Sequence, residues 1–424
     1  MTEHIIDVLR SRDLVDAITS DSLYEALKSP TAVYCGFDPS GDTLHLGNMM
    51  GIMGLAWFQR YGHTPVALIG GATGMIGDPS GKSQERQLLD EETLRRNEIG
   101  IQKNIQTILQ PQPGCPKPLF VNNYDWFKHF SFLHFLRDVG KHFRVGTMLS
   151  KDSVRARMES DEGMSFTEFS YQLLQGYDFY HLMQNHAVTV QIGGSDQWGN
   201  ITAGIEYVRR LTGKHVHGLT WPLLTRGDGQ KFGKSEKGAI WLSGEKMSPY
   251  EFYQYLVRTQ DVDVIGLLKR LTFVELGQIR ELEHQMKGAS YVANTAQKIL
   301  AEAITQLVHG YEGLQKALEA TKGALPGHVA ELDAKALEAL SSEIPTADLL
   351  LDDVIDQKLV DVVVKAGFSA SKGDVRRLIR NGGVWVNSMK IEDEQYQIAA
   401  ADVIENRFVL ISLGKKHKSL ISVR

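Results

Sequence analysis

A short apolar run, Ala32-Val33-Tyr34-Cys35-Gly36-Phe37, leads into a Pro/Gly turn and then into a helical pattern that Gly62 closes. The run has the length and apolar continuity of a buried parallel strand. Residues 49–61 are apolar-rich and read as a helix with Gly62 at its C-cap. The turn between them is Asp38-Pro39-Ser40-Gly41-Asp42-Thr43-Leu44-His45-Leu46-Gly47-Asn48. It puts backbone N–H groups and an imidazole at a helix N-terminus, a geometry that suits a nucleotide polyphosphate.

Further strand-like runs stand at 65–69, 119–122, 188–192 and 219–224, alternating with helical patterns. Such alternation predicts an α/β domain with a mostly parallel sheet over residues 1–225. Residues from about 125 to 165 are rich in Phe, His and Arg and read as a helical insertion. A signature loop and helical domain follow over 226–325. There Ser248-Pro249-Tyr250-Glu251 supplies an N-cap, a Pro at the first helical position and an acidic first turn. Pro326, Gly327 and Pro345 mark a linker over 326–349. Residues 350–424 read as a small α+β module: helices at 351–367 and 372–380, an Asn381-Gly382-Gly383 turn, and strands at 383–387 and 407–413.

Charge separates that last module from the rest. From Lys365 onward eleven Lys and Arg face six Asp and Glu, on a chain whose formal net charge is -5. A local excess of this kind suggests a surface facing nucleic acid, although a solvated basic helix would look the same. The two cysteines, Cys35 and Cys115, give neither a disulfide framework nor a zinc site, so a reducing compartment is expected. The N-terminus lacks a basic n-region and a long apolar segment, and no stretch approaches membrane-spanning length. A cytoplasmic protein with no membrane association is the expectation.

Four more segments carry chemistry. Lys231-Phe232-Gly233-Lys234-Ser235 lies in a Gly-rich stretch from 227 to 238. Two ammonium groups three residues apart can offset charge building on a triphosphate, as a catalytic flap would. Gly70 to Ser83 invites a P-loop reading, but Ile76 stands where that motif needs Gly, which rejects it. The stretch still brings Asp78 to the carboxyl end of a strand, where open α/β sheets bind ligands. Tyr171, Gln175 and Asp178 share one helix face, as either an exposed stripe or a lined pocket. Gln191-Ile192-Gly193-Gly194-Ser195-Asp196-Gln197 ends a strand with a Gly pair that permits close approach of a ligand, or forms a simple capped turn.

Taken in order, these segments resemble bacterial-type tyrosyl-tRNA synthetases, class I aminoacyl-tRNA synthetases, over nearly the whole chain. His45-Leu46-Gly47-Asn48 is similar to the "HIGH" signature and Lys231–Ser235 to "KMSKS". Asn48 replaces the last His of the first signature, which removes any cationic role there. Phe232 and Gly233 replace Met and Ser in the second, and both lysines remain. The resemblance implies a Rossmann-like catalytic domain and an S4-like RNA-binding module at the C-terminus.

It also implies roles. Tyr34 and Asp178 would bond the phenolic hydroxyl of L-tyrosine. Asp78, Tyr171 and Gln175 would hold its ammonium group, with Gln197 also on the tyrosine side. Gly36, Asp38, Gly194, Asp196 and Gln197 would line the adenylate site. His45, Gly47, Asn48, Lys231, Lys234 and Ser235 would contact ATP. Lys82 and Arg86 would act on the pyrophosphate side as catalytic cations. Lys372, Arg376, Arg377 and Arg380 would face tRNA(Tyr). Mg²⁺ would come with the ATP and no protein metal cage is implied. The family is homodimeric through the insertion, where Phe127, Phe130, Phe132, Leu133, Phe135 and Leu136 supply apolar surface, or else pack within one subunit. Two other readings stand beside this one: an RNA-binding protein on a retired synthetase fold, and a related enzyme activating tryptophan. The intact His45, Lys231 and Lys234 weigh against the first, and the Tyr34/Asp178 pair against the second.

Overall fold

The computed structural model describes residues 3–80, 89–111, 113–159, 163–225, 232–235, 238–323, 334–341, 344–414 and 417–424. They divide into two compact units, Met1–Ser243 with Thr259–Val308, and Gly244–Arg258 with His309–Arg424.

The first unit is built on six strands: β1 (Ala17–Ile18), β2 (Ala32–Phe37), β3 (Thr64–Ile69), β4 (Leu119–Asn122), β5 (Val188–Gly194) and β6 (His217–Trp221). Their order is β1-β6-β5-β2-β3-β4. All neighbours are parallel except the β1–β6 edge pair. The chain builds β2, β3 and β4 outward in one direction, then crosses back to lay β5 and β6 on the other side of β2. That reversal, between β2 and β5, leaves a crevice beyond the carboxyl ends of the strands.

The strands at 32–37 and 119–122 stand where their apolar runs predict. The run at 219–224 is displaced, because His217 and Gly218 continue the ladder to Val190 and Gln191 while Pro222 has no N–H to offer. The two-residue edge strand β1 is too short to leave a pattern.

Four helices position the crevice. Helix α1 (Met49–Arg60) follows β2 and is buried from Met49 to Gln59. Ile52, Leu55 and Phe58 are fully buried, each worth about 2 kcal/mol of transfer free energy. Helix α2 (Glu91–Ile108) starts where the Asp90 carboxylate accepts the N–H of Thr93, with Glu91 and Glu92 in its first turn. Helix α3 (Phe166–His186) is capped by Ser165 and ends at Ala187, whose φ of 53° is left-handed. Helix α4 (Trp198–Thr212) leaves β5 and packs on α3.

The insertion is helical at Tyr124–Phe127, Phe132–Asp138, Val145–Leu149 and Asp152–Met158. Its aromatic residues divide. Phe127 and Phe130 pack on Phe135 and on Tyr177 of α3, with ring centroids 5.2–6.0 Å apart. Phe132 and Leu133 are 65% and 74% exposed. A buried ion pair, Arg157 to Glu168 at 2.9 Å, ties the insertion to the first turn of α3.

The first unit also contains a two-stranded ribbon, β7 (Lys234–Ser235) with β8 (Gly238–Ala239). The second unit holds a sheet of β9 (Thr346–Leu349), β10 (Val384–Val386), β11 (Met389–Lys390), β12 (Phe408–Leu413) and β13 (His417–Val423), in the order β11-β10-β12-β13-β9. Helices α5 (Leu359–Lys365) and α6 (Lys372–Arg380) cover it through Val360, Val363, Val375 and Ile379, packed on Val409, Ile411 and Ile421.

Two sequence boundaries need correction. Strand β9 pairs in parallel with β13 and so belongs to the C-terminal sheet, inside the stretch read as a linker. Four residues with half-exposed polar neighbours carry too little periodicity to reveal it. The 226–325 segment is also divided: Thr259–Val308 packs with the first unit, and 244–258 with the second.

Candidate active site

A cavity of about 280 Å³ opens at the β2/β5 reversal. Its walls include Tyr34, Gly36, Asp38, Gly47, Asn48, Asp78, Tyr171, Gln175, Asp178, Gly194, Asp196 and Gln197. These residues come from sequence positions up to 163 apart, and the parallel order of β3, β2 and β5 brings them to one rim. Tyr171 and Asp178 are buried on α3, so its polar stripe lines a pocket.

Two groups shape the interior. The Tyr34 hydroxyl is fully buried and has no hydrogen-bond partner. Asp178, 1% exposed, accepts from Trp126 Nε1 at 2.9 Å and from Asn123 Nδ2 at 3.1 Å. Burial pushes the Asp178 carboxyl up to about 8, against the pull of those two donors. Burial, then the nearby Asp178 charge, holds the Tyr34 phenol well above its usual range. A buried hydroxyl left without a partner is costly unless a ligand completes it.

A chain of bonds runs along the wall. Tyr171 donates its hydroxyl to Asp38 Oδ2 at 2.8 Å, and Thr73 donates to Asp38 Oδ1 at 2.7 Å. Asn123 Nδ2 donates to the Thr73 oxygen at 2.9 Å as well as to Asp178, while its Oδ1 accepts the Ala72 N–H at 2.7 Å. Opposite, Asp78 accepts from Gln197 Nε2 at 2.7 Å, from the Ser80 N–H at 3.0 Å and from Asn200 Nδ2 at 3.3 Å. Asp38 and Asp78 thus place two acidic side chains on the cavity wall, a setting suited to an ammonium group.

The two basic signatures meet beside this cavity. Leu46–Asn48 form a 3-10 turn capped reciprocally: the Gly47 N–H donates to His45 Nδ1 at 3.1 Å, and the His45 N–H to Asn48 Oδ1 at 3.0 Å. Asn48 therefore works as a cap as well as a wall. His45 is outside the cavity lining, tilted toward Trp241 at 6.5 Å between centroids. The chain after the second signature runs along this turn, with Leu46 N–H donating to Ile240 O and Leu242 N–H to Leu44 O, both at 2.8 Å. Gly233 has a φ of 90°, and a Cβ there would stand 2.9 Å from the Gly47 nitrogen. Only glycine fits such an approach. For Lys234 and Ser235 the described part is the backbone of β7. Lys231, Lys82 and Arg86 lie outside the described residues.

Known proteins resemble this chain over most of its length. The sequence profile for class I tRNA synthetases (W and Y) matches residues 26–326, and that for the tyrosine–tRNA ligase SYY-like C-terminal domain matches 336–421. The chain belongs to the class I tRNA synthetases of the W and Y type. It is 55% identical to a tyrosine–tRNA ligase of Protochlamydia amoebophila over 99% of this chain and 98% of that protein. It is 44% identical to that of Citrobacter koseri, over 99% and 98%. A C-terminally truncated mitochondrial tyrosyl-tRNA synthetase of Aspergillus nidulans superposes with a TM-score of 0.66 at 30% identity, covering 74% of this chain and 92% of that one.

In this synthetase three polar residues of the site, Thr73 and Gln191 on the cavity wall and Asn123 behind it, receive no role from the sequence. Asn123 lies one position past β4, as Asp38 lies one position past β2; that position was the available signal. Thr73 sits within the Gly-rich stretch already noted. Gln191, 3% exposed on β5, lines the cavity with Oε1 unpartnered. Trp126 gave no signal, because its role depends on α3 passing beside the insertion.

The four basic residues of α6 belong to the synthetase's second unit. Lys372 pairs with Asp361 at 2.9 Å, Arg377 with Asp374 at 3.0 Å and Arg380 with Glu394 at 2.5 Å. Arg376 is half-buried and its Nε has no partner. Exposed pairs of this kind contribute little to stability.

Proposed function

We propose that this synthetase is a tyrosine–tRNA ligase. The tyrosine carboxylate attacks the α-phosphorus of ATP, pyrophosphate leaves, and the tyrosyl group then moves from the adenylate to a 3′-terminal hydroxyl of tRNA(Tyr). The observation that carries this reading is the unpartnered Tyr34 hydroxyl beside Asp178 in the cavity. A phenol hydroxyl placed between them can accept from Tyr34 and donate to Asp178, whereas an indole N–H can only donate and a phenyl ring does neither, so both leave the Tyr34 hydroxyl unpaired.

The carboxylate nucleophile is ionised at neutral pH, so the first step needs no general base. Catalysis rests on positioning and on charge compensation. Asp78, Tyr171 and Gln175 hold the ammonium group of tyrosine. Gly36, Asp38, Gly194 and Asp196 seat the adenylate, with Gln197 bound to Asp78. With Nδ1 accepting from Gly47, a neutral His45 carries its proton on Nε2 and can donate it toward phosphate. Lys231, Lys234, Lys82 and Arg86 are assigned to the pyrophosphate side, with Ser235 beside them. Mg²⁺ belongs to the nucleotide. Among the described residues no group of three or more His, Cys, Asp or Glu is arranged to hold a metal.

Helix α6 is assigned to tRNA phosphates through Lys372, Arg376, Arg377 and Arg380. The exposed Phe132, Leu133, Val145 and Phe166 are assigned to contact with a second copy of the chain. No described helix is long and apolar enough to cross a membrane, and a cytoplasmic location fits the free cysteines. The test is ATP–pyrophosphate exchange with each amino acid, followed by charging of tRNA. Tyrosine-dependent exchange is the expected result. Exchange driven by tryptophan, or none at all, refutes the reading.

A further inference from the structure

Helix α2 contributes no residue to the cavity lining, yet one face of it is polar and buried. Asn97, Gly100 and Asn104 share that face at i, i+3 and i+7. Asn97 and Asn104 are 4% and 8% exposed. The side-chain hydrogen bonds of Asn97 and Asn104 all run to the turn from Pro39 to Leu44. Asn97 Nδ2 donates to the Pro39 carbonyl at 3.0 Å. Asn104 Oδ1 accepts from the Thr43 hydroxyl at 2.7 Å and from the Leu44 N–H at 2.8 Å. Between them the Asp42 carbonyl lies so close to Gly100 that a Cβ there would stand 1.9 Å from its oxygen.

This turn bears Asp38 at one end and His45 at the other. Its far side is held by the chain that follows the second signature, through Leu242 N–H to Leu44 O. A six-residue connection with Pro, Ser, Gly and Asp has many conformations, and its buried polar groups need partners. Helix α2 supplies them at both ends of the turn. We propose that Asn97, Gly100 and Asn104 form a clamp that sets the position of Asp38 and His45, and that Asn104 is a positioning residue for ATP use. This rests on the assignment of that turn to the nucleotide.

The chemistry of Asn104 separates position from mere packing. Only its oxygen is used in the clamp, and it accepts twice. Asn104→Asp keeps the acceptor, and Asn104→Leu keeps the volume and removes it. Gly100→Ala is the complementary variant. Alanine favours the helix over glycine, so α2 holds while the turn is displaced.

The experiment uses the full chain. Hydrogen exchange of the 39–45 segment is measured without ligands, and ATP–pyrophosphate exchange with tyrosine is measured over a range of ATP and of tyrosine. Asn104→Leu is expected to speed amide exchange in 39–45 on the order of tenfold. It is also expected to lower kcat/KM for ATP on the order of 100-fold, with the dissociation constant for tyrosine unchanged. Asn104→Asp restores most of both, and Gly100→Ala lowers ATP use at undiminished helix content. Unchanged hydrogen exchange in Asn104→Leu overturns the clamp whatever the activity. Faster hydrogen exchange with normal ATP kinetics overturns its role in positioning. A wild-type protein that fails to catalyse exchange refutes the ligase reading instead, and the clamp is then judged on the amide data.

Discussion

Trp126 donates its indole N–H to Asp178 across 2.9 Å, from the insertion to the middle of α3. The bond opposes desolvation: burial drives Asp178 toward its protonated form, and Trp126 and Asn123 draw it toward the carboxylate. A group balanced in this way near neutral pH is costly to the empty protein and useful to a ligand that donates a hydrogen bond.

The cost has a defined pH window. Asp178 stands at about 8 in the native state, far above an unfolded carboxyl near 3.8. Below the lower value both states hold the proton and the native state keeps its full stability. As pH rises toward 8 the unfolded chain ionises first, so stability from this group is lost. Asp178→Ala removes that loss. Its stability relative to wild type should therefore improve from pH 5 to pH 8, by up to about 1.4 kcal/mol per pH unit. Urea unfolding at the two pH values measures it, and a constant difference refutes the assignment. The same variant should bind tyrosine roughly 100-fold more weakly, because the acceptor is gone.

Tyr34→Phe makes a contrasting case. Its hydroxyl is buried with no partner, so removing it should stabilise the free protein by about 1 kcal/mol. Bound tyrosine would lose one hydrogen bond, and its preference over phenylalanine should shrink by up to about tenfold. Melting temperature and competitive exchange kinetics check the two halves. A destabilised variant with unaltered preference would contradict the arrangement.

How far the sequence discloses all this depends on the distance over which each signal acts. The apolar runs of β2 and β4 and the residues just past the strand ends were legible, because strand burial and rim position are encoded locally. The pairing of Tyr34 with Asp178 was supplied by resemblance, since nothing near either residue refers to the other. Asn123 showed only its rim position, and Thr73 and Trp126 showed nothing, because their bonds span 35 to 55 residues. Strand β9 was lost for the same reason: its partner β13 lies over 70 residues on.

Lys234 follows Gly233, whose backbone is pressed against Gly47 of the first signature. Lys234→Ala should slow adenylate formation by about 100-fold or more and leave tyrosine affinity within about twofold, since charge on departing pyrophosphate matters after tyrosine has bound. Stopped-flow adenylate formation against equilibrium tyrosine binding separates the two. Equal losses in both would remove the lysine from the leaving-group side.

Helix α6 offers the last test. Lys372 and Arg377 are exposed, and their pairs with Asp361 and Asp374 are at the surface. Replacing both by Glu leaves the packed Val375 and Ile379 in place, so the module should still fold. If the helix contacts tRNA phosphates, the double variant should raise KM for tRNA by about tenfold or more and flatten its salt dependence, as fewer counterions are released. Tyrosine-dependent pyrophosphate exchange needs no tRNA and should stay at the wild-type rate. Charging kinetics at two salt concentrations decide the matter: an unchanged KM and slope would strip α6 of its RNA role, while a parallel loss of exchange would mean that the substitutions act through folding.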